Sequence, residues 1–168
     1  MKLLNSIKFA APAVVLGCVA LGLAPTLATG ATATTTFAVT ATVQATCVVS
    51  ATPMAFGTYT AAAASSTSTV SVTCTNTTPY NVGLNAGSAA GATVTTRSMT
   101  GPGSALLGYS LFSDSARIVN WGQTIGTDTV TGAGNGSAQA LTVYGQVAAG
   151  QYLAPGAYTD TITATVTY

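Results

Sequence analysis

The chain has 168 residues, of which 48% are hydrophobic and only 4% charged: four Lys or Arg, three Asp or Glu, and no His. All three acids are aspartates, so the usual supply of general acids, general bases and metal ligands is nearly absent, which argues against catalysis and against any cofactor. A formal net charge of +1 offers nothing that would attract nucleic acid or anionic lipid.

Residues 1–30 have the features of an export signal. Lys2 and Lys8 give a positive start, and Ala10 to Leu23 form an apolar run too short and too rich in Ala and Gly for a comfortable membrane span. Ala28 and Gly30 fit the small-residue positions of a cleavage site, which predicts a mature chain beginning at Ala31; Ala31 to Ala33 offer a later site. An alternative is that Val15-Leu16-Gly17-Cys18, which resembles a lipoprotein cleavage motif, leaves Cys18 as a lipid-bearing terminus. Removal of the signal leaves Arg97 and Arg117 against Asp114, Asp128 and Asp160, a net charge of −1. So little surface charge is unusual for a freely soluble monomer and suits a subunit whose surface is covered in a polymer.

Beyond the signal, apolar residues alternate with period two and nowhere follow helical spacing, so the remaining 138 residues are predicted to form one all-β domain. The first run is Thr34 to Ala45, with Phe37, Val39, Ala41 and Val43 on one face; a short strand-like piece, Cys47 to Ser50, follows. Further runs are Ser68 to Asn76, Tyr80 to Ala86, Leu107 to Leu111, Ser137 to Ala148 and Tyr158 to Tyr168, the last with Ile162, Ala164, Val166 and Tyr168 in alternation. Turn chemistry separates them at Thr78-Pro79, Gly101-Pro102-Gly103, Gly132 to Gly136 and Pro155-Gly156, a spacing that suits a two-sheet sandwich. The Gly132–Gly136 stretch precedes a strand and lacks a lysine or a helix start, so it is expected to be a surface loop rather than a phosphate cradle.

Cys47 and Cys74 are the two cysteines left after the signal, and in an exported chain they are expected to form a disulfide. With no CxxC spacing and no histidine, a redox or metal pair has little support. Asp114 and Arg117, three apart near a turn, fit a surface ion pair. Trp121 with Tyr59, Tyr80, Tyr109, Tyr144 and Tyr158 could line a sugar site, which would make the chain a carbohydrate-binding module, but packing within the sheets is the simpler expectation.

The run Phe37, Val39, Ala41, Val43 stands at the start of the mature chain and lacks a hairpin partner. Only Gln44, Ala45 and Thr46 separate it from Cys47, with no Gly or Pro for a tight turn. It can pair within its own sandwich, or it can join another molecule's sheet, lending main-chain hydrogen bonds and alternate side chains. Burial of one Phe and two Val would contribute at most about 5 to 9 kcal/mol to such an association. The terminal run Ile162, Ala164, Val166, Tyr168 is expected to border the groove that a donated strand would fill.

Read in order, several short segments resemble the spore coat protein U domain family, which includes the major subunits of archaic (Csu-type) chaperone-usher pili. They are Phe37-x-Val39-x-Ala41-x-Val43 before Cys47-Val48-Val49-Ser50, then Met54-Ala55-Phe56-Gly57-Thr58-Tyr59, Val70-Ser71-Val72-Thr73-Cys74-Thr75 with Thr78-Pro79-Tyr80, and Arg97-x-Met99 before Leu107-Gly108-Tyr109. Trp121-Gly122, Val143-Tyr144-Gly145, Gly150-Gln151, Gly156-x-Tyr158-x-Asp160-Thr161 and Val166-Thr167-Tyr168 complete the set. The resemblance implies an incomplete immunoglobulin-like sandwich completed by donor-strand exchange, with a periplasmic chaperone, an outer-membrane usher and copies of the chain or related pilins as partners. It implies residues 31–45 as the donor segment, with Phe37, Val39, Ala41 and Val43 as the inserted set, and 46–168 as the sandwich. Cys47 and Cys74 would be the bridge, and Ile162, Val166 and Tyr168 the acceptor edge. A single domain fits the shaft of a surface fibre that supports adhesion and biofilm formation; a spore or cell coat is the family's other branch.

Overall fold

The computed structural model describes residues 30–168; apart from Gly30, the expected export signal, including Cys18, lies outside the described residues. The described residues divide between a short unit ending at Thr40 and a unit from Ala41 to Tyr168. Among them are eight strands: β1 (Cys47–Ala51), β2 (Ala64–Cys74), β3 (Pro79–Leu84), β4 (Arg97–Thr100), β5 (Leu106–Phe112), β6 (Val130–Ala133), β7 (Gln139–Val147) and β8 (Ala164–Thr167). The helical content of the described residues is a single 3₁₀ turn at Pro102–Ser104. No helix among them is long and apolar enough to cross a membrane.

All neighbouring strands pair antiparallel, in a five-stranded sheet ordered β1-β2-β7-β5-β4 and a three-stranded sheet ordered β6-β3-β8. The alternation read from the sequence has its physical outcome here. Val70, Val72 and Cys74 of β2, Val82 and Leu84 of β3, Leu107, Tyr109 and Leu111 of β5, and Val143 and Val147 of β7 turn inward and form the core with Trp121 and Tyr80. The Trp121 indole N–H donates to the Val82 carbonyl at 2.8 Å, which satisfies the one polar atom of a fully buried ring. This is the two-sheet, immunoglobulin-like arrangement expected.

Cys47 and Cys74 are joined by a disulfide that ties the first residue of β1 to the last of β2. With a sequence separation of 27 between the partners, the crosslink restricts the unfolded chain by about 3 to 4 kcal/mol.

Several expectations are corrected. Residues 34–45 form no strand in the described fold. The terminal run is a strand only over Ala164–Thr167 rather than from Tyr158, because residues 158–163 lack a full ladder partner. There the Asn85 side-chain oxygen accepts from the Thr163 N–H at 2.9 Å, in place of a strand carbonyl. Gly132 belongs to β6 rather than to a loop: it pairs with Tyr80, and the Tyr80 ring occupies the space that a side chain at 132 would need. β4 was not anticipated, since Arg-Ser-Met-Thr lacks an apolar alternation.

Asp114 and Arg117 do not pair as a surface ion pair. The Asp114 carboxylate accepts from the backbone N–H groups of Val119 (2.7 Å) and Ile118 (3.0 Å), while the Arg117 guanidinium reaches the Gly145 carbonyl at 3.4 Å. Those backbone donors, Val119 first, hold the Asp114 carboxyl below the usual carboxylate range.

Candidate functional site: an open groove between the sheets

β1 and β8 each have a neighbour on one side only, so both are sheet edges. Between the chain leaving β1 and the chain entering β8 lies a cleft of about 400 Å³. Its floor is the core itself, Val70, Leu84, Leu111 and Val143; one wall is Ala51 to Met54 with Phe56, and the other is Tyr158 to Ile162 with Ala164. These four floor residues are only 2 to 4% exposed; what the cleft leaves half-buried are its walls, at Met54, Phe56, Tyr158, Ile162 and Ala164. The lining is mixed: the apolar floor is bordered by Thr52, Ser68, Thr159, Asp160 and Thr161, and the flanking backbone lacks a full ladder.

Met54 and Phe56 hold the first wall in place. They pack over Gly145 of β7, on its inward face, where any side chain would collide with the Met54 sulfur and the Phe56 ring. A second, wider cleft of about 920 Å³ shares Met54, Phe56, Met99 and Tyr158 with the first and continues along the Gln151–Tyr158 segment. That segment is anchored by Gln151, whose side-chain amide donates to the Gly108 carbonyl at 2.9 Å and accepts from its N–H at 2.8 Å. Gln151 thereby extends the β5 ladder past the last β5–β7 pair, Tyr109 with Val147.

Of the acceptor residues read from the sequence, Ile162 and Ala164 line the groove, and Val166 packs against the core two residues further along β8. Tyr168 is 57% exposed and does not line it. Phe37, Val39 and Val43 are among the most exposed large apolar residues, at 84 to 87%; Ala41 is exposed too. The aromatic residues considered for a sugar site are distributed otherwise: Trp121, Tyr80 and Tyr109 are buried in the core.

Two polar clusters missed by the sequence reading brace the groove. Arg97 is 1% exposed, and its guanidinium donates to four backbone carbonyls: Asn85 (2.8 Å), Val94 (2.7 Å), Leu84 (2.9 Å) and Trp121 (2.8 Å). It thus ties the end of β3 and a floor residue of the groove to β4. Burial lowers its pKa from the ordinary arginine value, while Tyr109, Asp128 and Asp160 pull the other way.

Asp160, in the β8-side wall, accepts from the Tyr109 hydroxyl (2.6 Å), the Ser88 N–H and hydroxyl (both 2.7 Å) and the Thr161 N–H (2.7 Å). Burial alone would raise the Asp160 pKa; the donors of Ser88, Tyr109 and Thr161 together outweigh it and set the carboxyl below the usual range. The Tyr109 phenol is pushed up, by burial first and then by its bond to Asp160. A carboxylate with a lowered folded-state pKa contributes stability that is complete above its unfolded pKa, about 3.9, and is lost as pH falls through the folded value. Denaturant midpoints are therefore expected to hold steady from pH 7 to about 5 and to fall below about 4. Asp160→Asn should lower the neutral-pH midpoint and shallow that acid limb. A limb unchanged by the substitution would remove Asp160 from the account.

Among the described residues there is no cluster of three or more His, Cys, Asp or Glu that could hold a metal ion.

Comparison with known proteins places this geometry. The fold resembles the CsuC-CsuE chaperone-tip adhesion subunit pre-assembly complex from archaic chaperone-usher Csu pili of Acinetobacter baumannii, with a TM-score of 0.54 and 24% identity over 76% of this chain and 40% of that one. Protein U of Myxococcus xanthus is 37% identical over 87 residues, covering 51% of this chain; the chain spans about half the length of that curated relative, 48%. The model of the Spore Coat Protein U domain matches residues 33–165, from just before the exposed alternating segment to the middle of β8. An all-β sandwich open along one seam, matched across nearly all of its described length, belongs to the spore coat protein U domain family.

Proposed function

We propose that the chain is a structural subunit of a surface fibre of the chaperone-usher type, polymerising when the segment 31–45 of one copy enters the groove of the next. The observation that carries this reading is the coexistence of an open groove floored by core residues and an exposed segment whose Phe37, Val39, Ala41 and Val43 alternate as a filling strand requires. Ala51 to Phe56 and Tyr158 to Ala164 would flank the inserted strand, and residues 46–168 would form the body of each subunit. Before assembly the open cleft would need a temporary occupant, the role of a periplasmic chaperone. An outer-membrane usher would then exchange that occupant for the next subunit. Export requires residues 1–30 to act as a signal, and a fibre at the cell surface would serve adhesion and biofilm formation.

A coat rather than a fibre is the second reading, favoured by the description of the matching family. Both readings use the same strand insertion. The test common to them is an intermolecular disulfide between one cysteine placed at Val39 and another placed in the groove wall; electron microscopy of the assembled material then separates thin fibre from sheet.

A further inference from the structure

We propose that the tether Gln44–Thr46 prevents the chain from filling its own groove, so that the segment ahead of it is available only to a second copy. The inference rests on the strand-insertion reading and adds to it a reason why the monomer does not close on itself.

The argument is one of register. Cys47 and Val49 of β1 face inward against the core, while Val48 is 69% exposed on the outer face. The pairing of β1 with β2 continues one residue beyond Cys47: the Thr75 N–H donates to the Thr46 carbonyl at 3.0 Å, and the Thr46 N–H donates to the Thr75 hydroxyl at 3.2 Å. The disulfide fixes the adjacent residue. Only Gln44 and Ala45 are then free to reverse the chain. A two-residue return would pair Val43 with Thr46, Ala41 with Val48 and Val39 with Ser50. Paired residues share a face, so the whole apolar set would point to solvent.

A three-residue return would restore the inward face, pairing Val43 with Cys47, Ala41 with Val49, Val39 with Ala51 and Phe37 with Pro53. Its third loop residue must adopt a left-handed conformation, normally that of glycine. Here that residue is Thr46, β-branched and already held extended against Thr75. Even in that register only Phe37 and Val39 would lie opposite Ala51 and Pro53, where the groove lining begins. Neither short return seats all four side chains.

A twelve-residue Gly/Ser insert between Ala45 and Thr46 removes the restriction, since it reaches up to about 40 Å when extended. A flexible tether presents the segment at an effective concentration on the order of millimolar, so at micromolar chain the closed form should outcompete exchange by about a thousandfold. The long-tether chain is expected to run as a monomer with a raised thermal midpoint, while a one-glycine insert polymerises like the native chain. Adding Val39→Asp to the long-tether chain should abolish the rise in midpoint, which shows that the segment itself does the filling. Polymerisation of the long-tether chain at the native rate would overturn the proposal, as would a native-length monomer whose residues 37–43 are already protected from hydrogen exchange. Normal polymerisation of Val39→Asp at native tether length would instead refute the strand-insertion reading beneath it.

Discussion

Val39→Asp is expected to leave a folded chain that no longer polymerises. Val39 is 84% exposed, so a polar residue there does not disturb the core of its own subunit. In the proposed assembly the same side chain enters a groove floored by Val70, Leu84, Leu111 and Val143. Loss of a buried valine removes about 1.5 to 3 kcal/mol, and desolvation of an unpaired carboxylate adds several more. A combined loss of roughly 4 kcal/mol or more weakens each junction by about a thousandfold. Sedimentation or a multimer ladder reads this directly, and unchanged thermal unfolding of the monomer separates failed assembly from failed folding. Val39→Ile, which keeps the apolar surface, should polymerise.

Arg97→Met is expected to be strongly destabilising. The side chain of methionine fills a similar length but leaves the carbonyls of Asn85, Val94, Leu84 and Trp121 without their donors, three of them at distances of 2.7 to 2.8 Å. A hydrogen bond to a charged group is worth about 1.5 to 3 kcal/mol, and the four act on one side chain and are not additive, so a loss of about 3 to 5 kcal/mol is expected. That is a large part of the stability of a typical domain. Arg97→Lys keeps the charge but cannot present a planar fork to several carbonyls, and it should fall between the two. Urea midpoints measure the series. Because Leu84 is both a partner of Arg97 and part of the groove floor, strand capture should weaken along with stability.

Much of the fold was legible because inward-facing residues of an antiparallel sheet repeat at every second position. Val70, Val72 and Cys74 or Val143 and Val147 announce their strands on that pattern alone. β4 and β6 were not legible. Arg97 looks like a loop residue unless four carbonyls are known to await it, and Gly132 looks like a turn unless the Tyr80 ring is known to lie across it. Both depend on residues distant in sequence, which no local period reports.

The groove was half legible. Ile162 and Ala164 were identified from the terminal alternation, and Tyr168 was assigned by extending the same period to a position where the structure leaves it exposed. The opposite wall, Met54 and Phe56, was visible only as part of a family pattern, because its place is set by Gly145 on the inner face of β7. The segment at Phe37 to Val43 read as a strand and forms none in the described chain.

The measurement that tests the account most directly is a mixed crosslink. One chain carries Val39→Cys, and a second carries a single cysteine at Ala51, Ile162 or Ala164, residues that line the two sides of the groove. After co-assembly and mild oxidation, at least one of the three mixtures is predicted to yield a covalent dimer containing one chain of each kind, while a control cysteine on the outer face at Thr67 yields none. Polymers that form normally but give no crosslink with any of the three groove positions would contradict the account.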